Sequence, residues 1–472
     1  EESEENDEET YNGDRGVSLD DFDDLDDLFE SETEKAYKNN EHKLFSEDMR
    51  QNVYVNIPDI DTEKYIVDYK ETYKLCKDSL AQCFRYDFTP IKKEPFQKLK
   101  SEISPGVSYL VKEFEMRKSA DQLKRASVAK TGELNMSKIF SHKFNEDIFK
   151  RITVVPGAKS HGLVIFLDWS GSMQTHLDNT IKQLFYIVMF CKKVNIPYEV
   201  YTFTDSYVPH ERMSMGNNYK ENDLIIHRFS MLNILSSRMK TQEFTYAAEI
   251  LTNFTTIGFC PSPLGMGGTP LNETIIAAMK IVPEFQKKNQ LQIVNTIFLT
   301  DGEGSNMTYV HKNGSEEYLR NATWSPDRSE YMYNTHILRD PVTKMEEKFS
   351  IDIASVQTNV FLKMLKHRTK CNVVGFYILS PGEFKTYLNR NVPYEEQQNI
   401  RSMFSKDHCA IIQNAGYDEY YLLRSAKNDS EEAELEVDSS MTTKKIVSQF
   451  NKFTKKKGMS RVVLSRFIGL VA

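Results

Sequence analysis

The sequence predicts an α/β protein: a doubly wound, mostly parallel sheet, with an N-terminal helical arm and a disordered acidic N-terminus. Three observations carry this. Short apolar runs recur between longer stretches whose apolar residues fall at helical spacing, the alternation expected of strands joined by crossover helices. The run at 163–167 is continuously apolar, as in a strand covered on both faces, where a half-solvated strand would alternate. The first thirty residues hold fifteen acids and one Arg, a composition that cannot bury a core.

Taken in order, residues 1–50 form the acidic tail, punctuated by Leu25, Leu28 and Phe29, which leaves room for a short binding motif. A helical region follows over 51–138. There Ile66, Tyr69, Tyr73, Cys76 and Leu80 keep helical spacing, and 95–130 reads as long helix broken near Pro105-Gly106. The basic residues Arg117, Lys118, Lys124 and Arg125 line this arm; no groove-reading motif accompanies them, so a solvated face is expected and a nucleic-acid partner is not. Residues 139–156 read as a strand pair. The α/β domain spans 139–425, with insertions at about 206–265 and 303–350. Its strands are expected at 162–168, 198–204, 224–229, 293–300, 371–379 and 420–424. Its helices are expected at 175–195, 241–254, 270–285 and 354–367. The helix at 175–195 is apolar over much of its circumference, as suits one packed on a sheet. Residues 426–472 form an acidic loop and two terminal helices, marked by Ile446, Phe450 and Phe453, then by Val462, Phe467 and Ile468.

Composition sets limits. With 472 residues, 40% of them hydrophobic, the chain can bury a sizeable core in two or three structural units. The net charge of −8 divides into −14 over the first thirty residues and about +6 over the rest. No apolar run is long enough to cross a bilayer. No basic-then-apolar leader opens the chain, and the six Cys form no Cys-x-x-Cys pair, so free thiols in a cytoplasmic protein are expected. The chain does not begin with Met, as a fragment would not.

The chemistry concentrates at strand ends. In Leu163-Val-Ile-Phe-Leu-Asp-Trp-Ser-Gly-Ser-Met173 an apolar strand ends abruptly in Asp168, Ser170 and Ser172. Asp301 closes the apolar run Ile297-Phe-Leu-Thr-Asp-Gly302, and Thr269 lies in Gly267-Gly-Thr-Pro-Leu271. In an open α/β sheet these loops meet at the carboxyl rim. Five oxygen donors, two of them charged, suit a hard divalent cation that keeps several waters. Mg²⁺ is expected, with Mn²⁺ or Ca²⁺ as alternatives. Gly171 and Gly268 would let backbone approach the ion, Trp169 would fix the loop, and Glu303 stands near. The same residues also fit a plainer reading, with Asp168 as a helix cap, Thr269 as a turn residue and Asp301 in an Asp-Gly turn. Walker-type glycine loops, His-Glu-x-x-His and Gly-x-Ser-x-Gly are all absent, so neither ATP hydrolysis nor a zinc peptidase or serine hydrolase of those types is indicated.

These motifs resemble the metal-ion-dependent adhesion site of a von Willebrand factor A (VWA) domain. With Phe144-Asn-Glu-Asp-Ile-Phe-Lys-Arg-Ile-Thr-Val-Val155 and His161-Gly-Leu-Val, they resemble more closely the CobT-type VWA subunit of aerobic cobaltochelatase. The resemblance covers about 104–301. It implies that Asp168, Ser170, Ser172, Thr269 and Asp301 hold the cation, with Asp301 acting partly through water, and that a partner's carboxylate completes the shell. It implies a MoxR/CobS-type AAA+ ATPase as partner, a large chelatase subunit, and a role as a non-catalytic subunit of an ATP-dependent metal chelatase in cobalamin biosynthesis. Family copies also occur in large tailed phages, sometimes labelled peptidases. A VWA adhesion or scaffold protein without an ATPase is the other reading.

Overall fold

The computed structural model describes residues 52–83, 91–125, 127–134, 149–154, 160–207, 219–257, 261–302, 304–310, 335–351, 353–407, 409–412 and 416–424. The acidic tail, the C-terminal helices expected over 426–472 and Glu303 lie outside the described residues. The chain divides into two compact units. One comprises 1–53 and 326–335, of which residues 52, 53 and 335 are described. The other, 54–325 and 336–472, carries the α/β fold.

In chain order the elements begin with β1 (Asn52–Asn56), α1 (Thr62–Tyr65), β2 (Ile66–Val67), α2 (Tyr69–Cys83), α3 (Glu94–Arg125), β3 (Ser127–Leu134) and β4 (Phe149–Val154). Then come β5 (His161–Asp168), α4 (Leu177–Val194), β6 (Tyr198–Thr204), β7 (Ser230–Ser236), α5 (Thr241–Ile257), α6 (Leu271–Lys288) and β8 (Ile293–Thr300). The last are β9 (Thr335–Arg339), β10 (Glu346–Phe349), α7 (Ala354–Thr369), β11 (Asn372–Leu379), α8 (Pro381–Asn391), α9 (Tyr394–Asp407), β12 (Cys409–Ile412) and β13 (Glu419–Arg424).

The central sheet has eight strands in the order β12-β13-β11-β8-β5-β6-β7-β2. Pairings of β5 with β6 and β8, and of β11 with β8 and β13, are parallel; β7 runs against β6 and β12 against β13. The expected α/β, mostly parallel sheet is therefore present. The chain leaves β5 for β6 on one side and later returns to β8 on the other, so β5 and β8 flank a topological switch point.

Helix α4 shows why its sequence is apolar nearly all round. One side rests on the sheet, while α3 covers another, with Phe96 against Phe185 at 5.8 Å and Phe114 against Phe190 at 5.6 Å between ring centroids. Asn195 ends it in a left-handed conformation with φ 57°. The break expected at Pro105-Gly106 does not occur: α3 runs through both. Its buried stripe of Leu99, Ile103, Val107, Leu110 and Phe114 outweighs the lost backbone bond. Gly106 sits so close to α4 that a Cβ there would lie 2.7 Å from Tyr186 Cε1.

Four further expectations need correction. The strand read at 224–229 lies instead at Ser230–Ser236, where every residue is buried. This strand and α5 belong to the segment 206–265 read as an insertion, yet they build the sheet layers. The helix read to 130 ends at Arg125, and the strand pair read at 139–156 is β3 with β4. The segment 303–350 contributes the antiparallel pair β9–β10. Cys76, Cys191, Cys371 and Cys409 are buried and take part in no disulfide.

Candidate metal site at the carboxyl rim of the sheet

β5 is buried from Gly162 to Asp168, and its register places Leu167 beside Leu299 of β8. Asp168 and Thr300 thus close adjacent parallel strands at one rim. Asp168 is fully buried. Its Oδ2 accepts a hydrogen bond from Thr300 Oγ1 at 2.7 Å, and its Oδ1 accepts from the Ser170 backbone N–H at 3.0 Å. Trp169, also fully buried, donates its indole N–H to Leu264 O at 2.7 Å and stacks on Phe254, which fixes the loop as expected.

The chain then turns through a 3-10 segment, Gly171–Thr175, with Met173 buried beneath it. This turn presents two hydroxyls. Ser170 Oγ and Ser172 Oγ are 3.0 Å apart, and Ser172 Oγ donates to Asp301 Oδ1 at 2.8 Å. Ser170 Oγ is 3.4 Å from the same oxygen. Residues separated by about 130 positions therefore meet at one point.

The third loop is tied to the first. Gly171 N–H donates to Gly267 O at 2.8 Å, and Gly267 N–H donates to Trp169 O at 3.1 Å. Thr269, two residues on, is half-buried. Its Oγ1 lies 3.6 Å from where a Cβ on Gly302 would stand, which places it beside the Asp301 loop. All five residues named from the sequence converge on this rim, though the hydrogen bonds directly link four of them.

Asp205, which follows β6, is a residue that sequence reading missed. Gly268 N–H donates to its Oδ1 at 2.5 Å. A Cβ on Gly267 would fall 2.3 Å from Asp205 Oδ1, and one on Gly268 would fall 2.6 Å from Asp205 Oδ2. The Asp205 carboxylate thus leaves no room for a side chain at either glycine. At Gly171 an added Cβ would meet nothing closer than Gly267 O at 4.0 Å. Glu273, in the first turn of α6, is a second missed acid, 1% exposed, with no hydrogen-bond partner at Oε2.

The electrostatics are lopsided. Burial pushes the Asp168 carboxyl up to about 7, against the pull of its Thr300 and Ser170 hydrogen bonds and with added push from Asp301. Burial also raises Asp301, opposed by the Ser172 hydrogen bond and by nearby His176. Glu273 is raised to about 7, again chiefly by burial, with Asp205 adding to it. Among the described residues no group of three or more His, Cys, Asp or Glu is arranged to hold a metal. The donors gathered here are instead two carboxylates and hydroxyls, a set that fits a hard cation such as Mg²⁺ and does not fit a soft one.

No known family model matches the sequence, and no curated protein does. Among solved structures, the pilus adhesin SpaC from Lactobacillus rhamnosus GG in its open conformation aligns with TM-score 0.25 and 15% identity over 47% of this chain and 24% of that one. A second crystal form of SpaC gives 0.23 and 14% over 47% and 25%. The human COPII-coat protein Sec24c gives 0.20 and 9% over 47% and 26%. The chain spans about a quarter of the length of each. Similarities this weak carry no argument about function. Among the described residues no helix is long and apolar enough to cross a membrane.

Proposed function

We propose that this protein is a metal-dependent protein-binding subunit of the VWA type. Asp168, Ser170, Ser172, Thr269 and Asp301 would hold one Mg²⁺, and a carboxylate from a partner protein would bind to it. The observation that supports this most is the meeting of Ser170, Ser172 and Asp301 within hydrogen-bond range, directly above a buried Asp168 whose own donors are all uncharged.

Each residue has a physical task. Asp168 supplies negative charge from beneath, and Thr300 orients it. Trp169, anchored on Leu264 and Phe254, holds the serine turn rigid. Asp205 fixes the glycine pair that carries Thr269. When bound, the cation would supply a Lewis-acidic point of attachment for an anionic oxygen, with no bond-breaking step required. Two carboxylates and three hydroxyls leave it short of protein ligands, which favours an outside carboxylate.

The resemblance of the motifs to the CobT type extends the proposal to the partner. That partner would be a MoxR/CobS-type AAA+ ATPase, within a complex like cobaltochelatase or a phage-encoded relative, with this chain as the non-catalytic adhesive subunit in the cytoplasm. The test is a pull-down of such an ATPase, encoded beside this chain, in Mg²⁺ and in chelator. Capture in Mg²⁺ that is lost on Asp168→Ala, with the unfolding transition retained, is expected. Capture that is equal in chelator or in the variant contradicts the proposal.

A further inference from the structure

A cleft of about 1330 Å³ opens beside the candidate metal site. Its inner end is lined by Thr300 and Gly302, the residues on either side of Asp301. Its floor is aromatic. Tyr377 of β11 lies 5.4 Å from Tyr387 of α8 and 6.3 Å from Tyr420 of β13, and Tyr417 stacks on Tyr420 at 4.9 Å. Tyr377, Tyr387 and Tyr417 are half-buried, so each keeps surface exposed. The outer lip lies at the turn between α8 and α9: Asn391 ends α8, Glu395 and Glu396 lie in the first turn of α9 and Asn399 about one turn further along it, all exposed. Tyr394 stands on the same turn with 89% of its surface exposed.

The chemistry selects an occupant. The volume exceeds the roughly 300–1,000 Å³ of ordinary small-molecule pockets. Tyrosine rings backed by amides are typical of protein-binding surfaces, where rings take an apolar side chain and amides pair with peptide backbone. The two lysines of the wall are already engaged, Lys363 with Glu347 at 3.5 Å and Lys366 with Asp418 at 3.1 Å. The lip is acidic. An anionic occupant along the whole cleft is therefore disfavoured, while a positive group at the outer end is complementary.

We propose that the cleft receives an extended segment of the partner protein that carries, in order, an acidic residue at the metal, an aromatic side chain among Tyr377, Tyr387 and Tyr417, and a basic residue at Glu395 and Glu396. This deepens the metal-dependent binding reading and rests on it. The metal alone would accept any carboxylate; the cleft confers choice among them.

The test uses the full chain on an array of synthetic peptides. Each peptide has one Asp, then Trp or Ala, then Arg or Glu, with the spacing between the positions varied. Binding is read in Mg²⁺ and in chelator. The Asp–Trp–Arg peptides at a favoured spacing should bind about tenfold tighter than their Ala counterparts, the scale of a single buried aromatic contact. Asn399→Trp, a filling change at an exposed position, should erase that preference while Mg²⁺ binding and thermal stability stay unchanged. Tyr387→Ala should also erase the preference and leave Mg²⁺ binding unchanged, at some loss of thermal stability because its ring packs on Tyr377 and on the cluster of Phe384 and Leu388. Equal binding of Trp and Ala peptides in Mg²⁺, or an unaltered preference in Asn399→Trp, overturns the cleft alone. A Trp preference that survives chelator and Asp301→Ala overturns the metal anchor and with it the combined proposal. Retention of no peptide also overturns it, and a separate Mg²⁺ titration then decides the metal reading.

Discussion

Two buried acids sit near opposite ends of neighbouring strands and are treated in opposite ways. Glu199, near the start of β6, is 5% exposed. It accepts from Asn233 Nδ2 at 2.6 Å, Ser236 Oγ at 2.9 Å and Arg238 Nε at 2.8 Å. Arg238 is itself held by Asp68 at 3.0 Å and lies over the Tyr69 ring. Asp168, at the end of β5, is equally buried, but its donors are a hydroxyl and a backbone N–H, and its nearest charged neighbour is another acid. One charge is balanced within the fold and ties the N-terminal segment to the sheet edge. The other is left unbalanced, at considerable cost, where an external cation could balance it. Burial alone does not tell these two acids apart; the identity of their partners does.

The sharpest way to break this contrast is to unbalance the balanced end. Arg238→Ala strands Glu199 without its cation and should destabilise the protein by about 3 kcal/mol, read from urea unfolding. Asp168→Asn in chelator should cost little or even stabilise, because it removes a buried charge that nothing offsets. Equal losses in the two variants would erase the distinction.

Glu273 gives the next largest effect. Its folded value of about 7 stands above an unfolded value of 4.5. The folded state therefore keeps a proton that the unfolded state releases, and stability falls as pH rises from about 4.5 to about 7, then levels off. Glu273→Gln should match the wild type at pH 4 and exceed it above pH 7, with a ceiling of about 3 kcal/mol. Parallel stability curves for the two proteins would show that Glu273 is not strained by its burial. A smaller effect tests the support of the third loop. Gly268→Ala pushes a methyl against Asp205 and should cost about 1–2 kcal/mol, with weakened Mg²⁺ binding and the rest of the fold intact.

Particular residues show what could be read in the sequence. β5, β8 and β11 were legible through their apolar runs, and β6 through its Tyr, Val, Thr and Phe residues following Pro197. β7 was not, since Ser230, Asn233 and Ser236 interrupt it. Asn233 Nδ2 and Ser236 Oγ donate to Glu199, and Ser230 Oγ donates to Tyr207 O, contacts that no local pattern reveals. α8 and α9 were missed because they are mostly polar; α8 buries just Phe384 and Leu388. The site residues Asp168, Ser170, Ser172 and Asp301 stood out by following apolar strands at once. Asp205 carries the same signal after β6 and was open to the same reasoning. Glu273 was not, because an acid in the first turn of a helix is ordinary.

The most direct measurement is calorimetric titration of Mg²⁺ into the full chain, paired with thermal unfolding. The account predicts one binding site. It also predicts stabilisation of about 2.7 kcal/mol when the cation is about a hundredfold above its dissociation constant, lost in both Asp168→Ala and Ser172→Ala. Absence of saturable binding in the wild type, or undiminished binding in both variants, would contradict it.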